Sequence, residues 1–266
     1  MSSNAAPSGS PVQDFYESKY LGGEEIRRTS KLYTLDCVPS AGAALEVLDI
    51  GCGTGHNSML IAAKGHRVTG VDISENAIER YRTNGFNGRT MDIERGLAFA
   101  DDSFDLAFCS EVIEHLVRPE RFALEIHRVL RPGGQLVLST PNSAFWLYRV
   151  LGLLGWVVSD IQHPMHLRFF TRASARRLLE TAGFRTRAAH GRNMYLILPD
   201  PLLPPLRRLY RAVGLEEEIR FTTKKSFWHL SSRSNFCNSL FADTLIFSME
   251  KPVVSTGFDS QPPPQD

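Results

Sequence analysis

The sequence predicts an α/β fold with a doubly wound sheet, and two observations carry that reading. Apolar strand-like runs alternate with stretches of helical spacing from about residue 45 to about residue 249. The first run, Val47-Leu48-Asp49-Ile50, opens directly into Gly51-Cys52-Gly53-Thr54-Gly55. Glycine at every second position of that loop lets the backbone turn tightly and bring its amides against a ligand at the start of the following helix. The loop therefore marks a site for a nucleotide-like cofactor.

The remaining elements follow in order. Arg67-Val68-Thr69-Gly70-Val71-Asp72 is a second strand ending in a carboxylate placed to bind both ribose hydroxyls. A helix runs from Ser74, a good N-cap, through Ile78 and Tyr81 to Gly85. Ser103 to Ser110 reads as a strand, and a helix from about Pro119 spaces Phe122, Ile126, Val129 and Leu130 as one buried stripe. Arg131-Pro132-Gly133-Gly134 then turns into the strand Gln135-Leu136-Val137-Leu138. A third helix starts at Thr171, aligns Ala175, Leu178, Leu179 and Ala182, and ends at Gly183. Phe184 to Ala188 and Leu240 to Met249 supply the last two strands.

A dinucleotide loop of the G-x-G-x-x-G kind starts the same way, and an acid about twenty residues later suits NAD as well. Here His56 holds the sixth position, and Asp49 precedes the loop. That G-x-G-x-G pattern resembles class I S-adenosylmethionine-dependent methyltransferases, of the ubiquinone-biosynthesis O-methyltransferase kind with a type 11 or type 23 methyltransferase domain. The resemblance extends from about residue 45 to 141 through Met91-Asp92-Ile93-Glu94, the Ser103–Ser110 strand and the Arg131–Gly134 turn. It implies a Rossmann-like, seven-stranded, mostly parallel sheet with an antiparallel last strand, and S-adenosyl-L-methionine as cofactor. It also implies roles for named residues. The loop Gly51, Gly53 and Gly55 with Asp49 would hold the methionine end, Asp72 the ribose, and Asp92 the adenine amine. Ile73, Ile93 and Ser110 complete the implied cofactor set. The bland alternatives are a plain tight turn for the loop and a solvated turn residue for Asp92.

Glu111-Val112-Ile113-Glu114-His115 carries the most chemistry. In a helix, 111, 114 and 115 would share one face. The pentad resembles both the ubiquinone-type enzymes and the small-RNA 3′-terminal 2′-O-methyltransferases. In the RNA enzymes such residues hold a divalent metal with a second His before an aromatic-Thr motif, and His166-Leu167-Arg168-Phe169-Phe170-Thr171 has a His at the matching offset. The metal set so implied is Glu111, Glu114, His115 and His166, for Mg, Mn or Zn. Without a metal, His115, His163 or His166 would serve as general base. The plainer reading has Glu114 favouring a helix N-terminus and His115 merely packing.

Composition bounds the rest. The 266 residues are 42% hydrophobic, enough for one large buried core. The four cysteines form no C-x-x-C pair, so neither a disulfide framework nor a zinc knuckle is indicated, and a cytoplasmic setting is expected. Residues 1–12 and 252–266 read as disordered tails around one methyltransferase domain at 13–251. Ala144 to Val158 carries only Arg149 as a charge and is too short to span a bilayer, so no transmembrane segment is expected. Three readings of it stay open: a buried packing helix, a lid over a lipophilic substrate within an insertion at about 142–166, or a peripheral membrane contact. From Ile161 to Arg211 ten arginines face two acids, a local net of +8, which leaves −7 for the remainder. Solvated helix faces account for that asymmetry better than a nucleic-acid surface, because the arginines fall at several helical phases. The expected activity is O-methylation of a small lipophilic acceptor. Its alternatives are metal-dependent 2′-O-methylation of RNA 3′ ends and cofactor binding without catalysis.

Overall fold

The computed structural model describes residues 11–21, 32–40, 42–196, 219–222, 227–230 and 242–253. Residues 1–10 and 254–266 of the expected tails, and Arg207, Arg208 and Arg211 of the basic stretch, lie outside the described residues. A helix, α1, begins at Pro11 and runs to Leu21, so it starts inside the stretch read as a tail.

In chain order there follow α2 (Leu32–Leu35), β1 (Glu46–Ile50), α3 (His56–Ala62), β2 (Arg67–Asp72), α4 (Glu75–Thr83), β3 (Asn87–Thr90) and β4 (Phe104–Ser110). Then come α5 (Pro119–Val129), β5 (Leu130–Pro141), α6 (Trp146–Leu153), α7 (Val158–Ile161), α8 (Arg172–Thr181) and β6 (Arg185–Leu196). The chain closes with β7 (Ile219–Thr222), β8 (Phe227–Leu230) and β9 (Ala242–Glu250). The sheet order is β3-β2-β1-β4-β5-β9-β6-β8-β7. Strands β3, β2, β1, β4 and β5 are parallel, and β9 runs antiparallel between β5 and β6, pairing Phe247 with Leu138 and Ala189. These seven strands are the expected sheet with its antiparallel last strand. The hairpin β7–β8 adds two strands beyond β6. Four residues apiece contain too few alternations to stand out in the sequence.

Strand alternation sorts the core onto two faces. Leu48, Ile50, Ala107, Cys109, Leu136 and Leu138 pack with the buried sides of α5 and α8. Val47, Leu106, Phe108 and Val137 face the other way, toward α2 and α3. The stripe on α5 is as expected, with Phe122, Ile126 and Val129 fully covered. The turn Arg131–Gly134 is taken up as an irregularity of β5, where pairing with β4 shifts from Leu130 to Gln135.

Tyr81 of α4 lies fully buried beneath the glycine loop. A Cβ at Gly55, Gly70 or Gly88 would come within 2.9, 2.4 or 2.7 Å of its ring, so three glycines form the slot that holds it. Gly70→Ala is the sharpest test of that slot, because the added methyl also meets Cys52 Sγ at 2.7 Å. Overpacking of this kind should cost about 1–3 kcal/mol, read as a drop in Tm of several degrees.

Candidate active site

The carboxyl ends of β1, β2 and β4 open onto a cavity of about 700 Å³, where ligands of open α/β sheets sit. Its lining includes Gly51, Gly53, Asp72, Ile73, Asp92, Ile93, Ser110, Glu111, Glu114, His115, His163 and His166, but neither Asp49 nor Gly55.

The loop after β1 is held from within. Gly51 and Cys52 donate their amides to Val71 O at 2.8 and 3.1 Å, Gly53 donates to Asp72 Oδ2 at 2.9 Å, and Gly55 donates to Cys52 O at 3.0 Å. Each of these four amides thus has a partner within the protein. They fix the loop, and Asp72 is the hinge of the arrangement, since its Oδ1 also accepts from Ser74 N at 3.0 Å. Gly51 has φ 71°, and a Cβ there would lie 2.5 Å from Val112 Cγ2, so both conformation and space require glycine.

Asp49, expected at the methionine end, is buried just behind the cavity wall and supports the loop from there. It is 1% exposed and accepts from Ser58 Oγ at 2.5 Å, and Ser58 in turn accepts from Tyr81 Oη at 2.8 Å. Burial pushes the Asp49 carboxyl up to about 7, opposed by the Ser58 hydrogen bond and reinforced by the charge of Asp72. In the unfolded chain an aspartate titrates near about 3.9. The folded state therefore holds the proton more tightly, and this contribution to stability is present below the unfolded value and lost as pH rises through about 7. Asp49→Asn, a neutral isostere, should show a Tm advantage over wild type that grows from about pH 5 to about pH 7 and then levels off. A constant difference across that range, followed by thermal scans, would contradict the buried-acid account.

Asp92 lines the cavity and also caps the single 3-10 turn Ile93–Arg95, accepting from Glu94 N at 3.1 Å and Arg95 Nε at 3.1 Å. Thus the adenine-side candidate doubles as a turn residue.

The pentad does not form the expected α-helical face. Glu111 takes φ 57° as its amide donates to Ser139 O at 3.0 Å, and only Ile113–His115 form a turn, of 3-10 geometry. The left-handed residue swings Glu111 away. Its Oε1 accepts from Ser139 Oγ at 3.1 Å, and it stands outside the cluster that gathers Glu114, His115 and His166. One ligand atom from each of those three lies within 4.8 Å of the others. Glu114 is 1% exposed and accepts from Thr140 Oγ1 at 3.1 Å, while its carbonyl accepts from Leu167 N and Arg168 N at 2.8 and 3.0 Å. Those two backbone bonds dock the His166 loop onto the pentad.

Second partners set the imidazoles. His115 Nδ1 lies 2.9 Å from Met165 O, and His166 Nδ1 lies 3.0 Å from Gln162 Oε1. The Met165 carbonyl can only accept, so a neutral His115 carries its proton on Nδ1 and leaves Nε2 with a lone pair, the tautomer found in metal-ligating histidines. His163 is set the other way, its Nδ1 accepting from Met165 N at 3.2 Å.

Sequence reasoning missed Phe15 and Tyr16, which line the cavity from α1, and also Ser58 and Gln162. The apolar stretch 144–158 contributes no lining residue. Phe145 is buried, whereas Leu153, Leu154, Trp156 and Val157 are more than half exposed.

Comparison with known proteins matches residues 23–189 to the methyltransferase domain family. The chain belongs to this family of S-adenosylmethionine-dependent methyltransferases. The methyltransferase is 35% identical over 188 residues to a probable S-adenosylmethionine-dependent methyltransferase of Mycolicibacterium smegmatis, covering 68% of each chain. It is 32% identical over 157 residues to a ubiquinone biosynthesis O-methyltransferase of Idiomarina loihiensis, covering 55% of this chain and 64% of that one. The match thus spans less than two thirds of that relative's length. A putative methyltransferase from Bacillus halodurans shares the fold, with TM-score 0.57 and 20% identity over 83% of this chain and 97% of that one. Among the described residues no helix is long and apolar enough to cross a membrane.

Proposed function

We propose that the methyltransferase methylates a hydroxyl oxygen of a small, lipophilic acceptor at the end of the cavity formed by Glu114, His115 and His166. The observation that carries this reading is the cluster itself: two imidazoles beside a buried carboxyl, with the His115 Nε2 lone pair set by the Met165 carbonyl at Nδ1. Such a group takes a proton from a hydroxyl, whereas an amine acceptor that is already neutral needs no strong base. Apolar side chains of Phe15, Ile73, Val112 and Leu116 on the lining favour an acceptor with little charge. The ubiquinone-biosynthesis relatives are named for O-methylation, which supports the same choice.

The cofactor supplies a sulfonium methyl that needs only an aligned nucleophile behind it. On this reading Asp72 and Asp92 anchor the nucleoside, and the loop held by Asp72 sets where the methyl points. The cluster orients the acceptor oxygen and accepts its proton at Nε2 of His115 or His166.

The same donors fit a divalent metal, as one carboxylate and two imidazoles. A bound cation supplies Lewis acidity that lowers the pKa of a hydroxyl. With Glu111 tied to Ser139, the set is nitrogen-rich and suits Zn or Mn better than Mg.

The test is transfer from methyl-labelled cofactor to a panel of phenols, carboxylic acids and amines of similar size. Label is expected in methyl ethers. Label confined to amine products would contradict the oxygen reading.

A further inference from the structure

Helix α1 does not have a broad apolar face to bury: Pro-Val-Gln-Asp-Phe-Tyr-Glu-Ser-Lys-Tyr-Leu is polar at most central positions. An isolated helix of this length is marginal in water, so its placement must come from specific contacts. One side chain supplies four of them. Glu17 Oε1 accepts from Glu75 N at 2.6 Å, and Oε2 accepts from Ser74 Oγ at 2.9 Å, Asn76 N at 3.2 Å and Asn76 Nδ2 at 2.6 Å. These are the first donors of α4, where the helix dipole favours an anion. Ser74 is the N-cap of α4, accepting from Ala77 N at 3.1 Å while its hydroxyl donates to Glu17. Burial alone would raise the Glu17 pKa, but the amides and side chains of α4 more than offset it and hold the carboxyl below its usual value. The neighbouring Glu75 carboxylate is turned to Arg82 and to the Thr90 hydroxyl, so the two acids do not compete for one set of donors.

The residues just before Glu17 reach the opposite end of the cavity. Tyr16 meets His115 edge-on, with ring centroids 5.9 Å apart and planes at 88°. Phe15 meets His163 at 5.6 Å and 67°. Both line the cavity, whereas Glu17 does not. Successive helical residues project about 100° apart, so one short helix bonds to the α4 side and covers the histidines. The two ends of this bridge differ in kind: a charged latch on one, aromatic walls on the other.

We propose that Glu17 is a positioning residue whose carboxylate latches α1 onto α4, so that Tyr16 and Phe15 wall the acceptor end of the cavity against His115 and His163. It touches neither cofactor nor acceptor. The assignment of that end to the acceptor rests on the function proposed above, but the latch itself does not.

The experiment uses full-length wild type, Glu17→Gln, Tyr16→Ala and the double variant, with diethyl pyrocarbonate as a histidine probe read by mass spectrometry. Glu17→Gln keeps the shape but turns an amide donor toward donors. It should speed carbethoxylation of His115 by about 10- to 100-fold, the scale of a lost charged hydrogen bond, with His127 on α5 at its wild-type rate. The double variant should be no faster than the faster single variant, because Glu17 acts through the position of Tyr16. His115 labelling within twofold of wild type, or His115 and His127 rising together, would overturn the latch. No acceptor is needed for this arm, so it stands or falls apart from the oxygen reading. With an acceptor from the panel above, the same variant should raise the acceptor KM about tenfold and keep kcat within about twofold. A fall in kcat at unchanged KM would overturn the positioning role.

Discussion

Glu114→Gln is expected to lower turnover by roughly 10²- to 10⁴-fold, the range for loss of a positioned acid–base group. Affinity for S-adenosylhomocysteine should stay within about threefold, because the carboxylate is on the turn after β4 and the nucleoside acid is on β2. The amide preserves volume, and its oxygen can still accept from Thr140, so the fold should survive the change. What disappears is one carboxyl oxygen beside the His115 and His166 rings. Steady-state kinetics with calorimetric titration separates the two effects. An equal loss in binding and turnover would place Glu114 in cofactor binding instead.

Asp72→Ala should produce the largest loss of cofactor affinity. Its carboxylate accepts the Gly53 and Ser74 amides and lies on the cavity wall, so it sets the loop, and on the proposed reading it also binds ligand hydroxyls. Hydrogen bonds to a charged acceptor are worth about 1.5–3 kcal/mol each, so loss of one or two predicts weaker binding of S-adenosylhomocysteine by at least about 10- to 100-fold. Stability should fall as well, since both amides lose their acceptor inside the protein. Asp72→Asn keeps one acceptor oxygen and should lie between wild type and Ala in both measurements. Equal titration isotherms for wild type and Ala would remove Asp72 from the site.

The parts of the fold that the sequence revealed are those fixed by short-range covalent demands. The strand, glycine loop and carboxylate of residues 47–72 lie close together in the chain, and β1 and β2 pair in register beside each other. The motif position of Asp49 suggests a ligand, but it does not reveal that alternation along β1 puts this residue with Val47 on the face covered by α3, where it meets Ser58. The spacing of the pentad implies a shared helical face, and nothing in it announces that Glu111 is left-handed and breaks that phase. His166 still comes to the pentad although the helical phase is broken, since the Glu114 carbonyl docks the later loop by its backbone amides. Glu17 was invisible: its partners lie 57 to 59 residues onward, and α1 carries no apolar periodicity to announce it. The stretch 144–158 looked like core or lid by composition, but its last turns are exposed and only His163 and His166, beyond it, reach the cavity.

The most direct measurement of the central claim is a crystal structure of the wild-type methyltransferase with S-adenosylhomocysteine and an acceptor from the panel. The proposal places the acceptor oxygen within about 3 Å of Nε2 of His115 or His166, or bound with them to one metal ion, and in line with the cofactor sulfur. An acceptor oxygen lodged away from all three residues of the Glu114 cluster, with the sulfur turned from them, would contradict it.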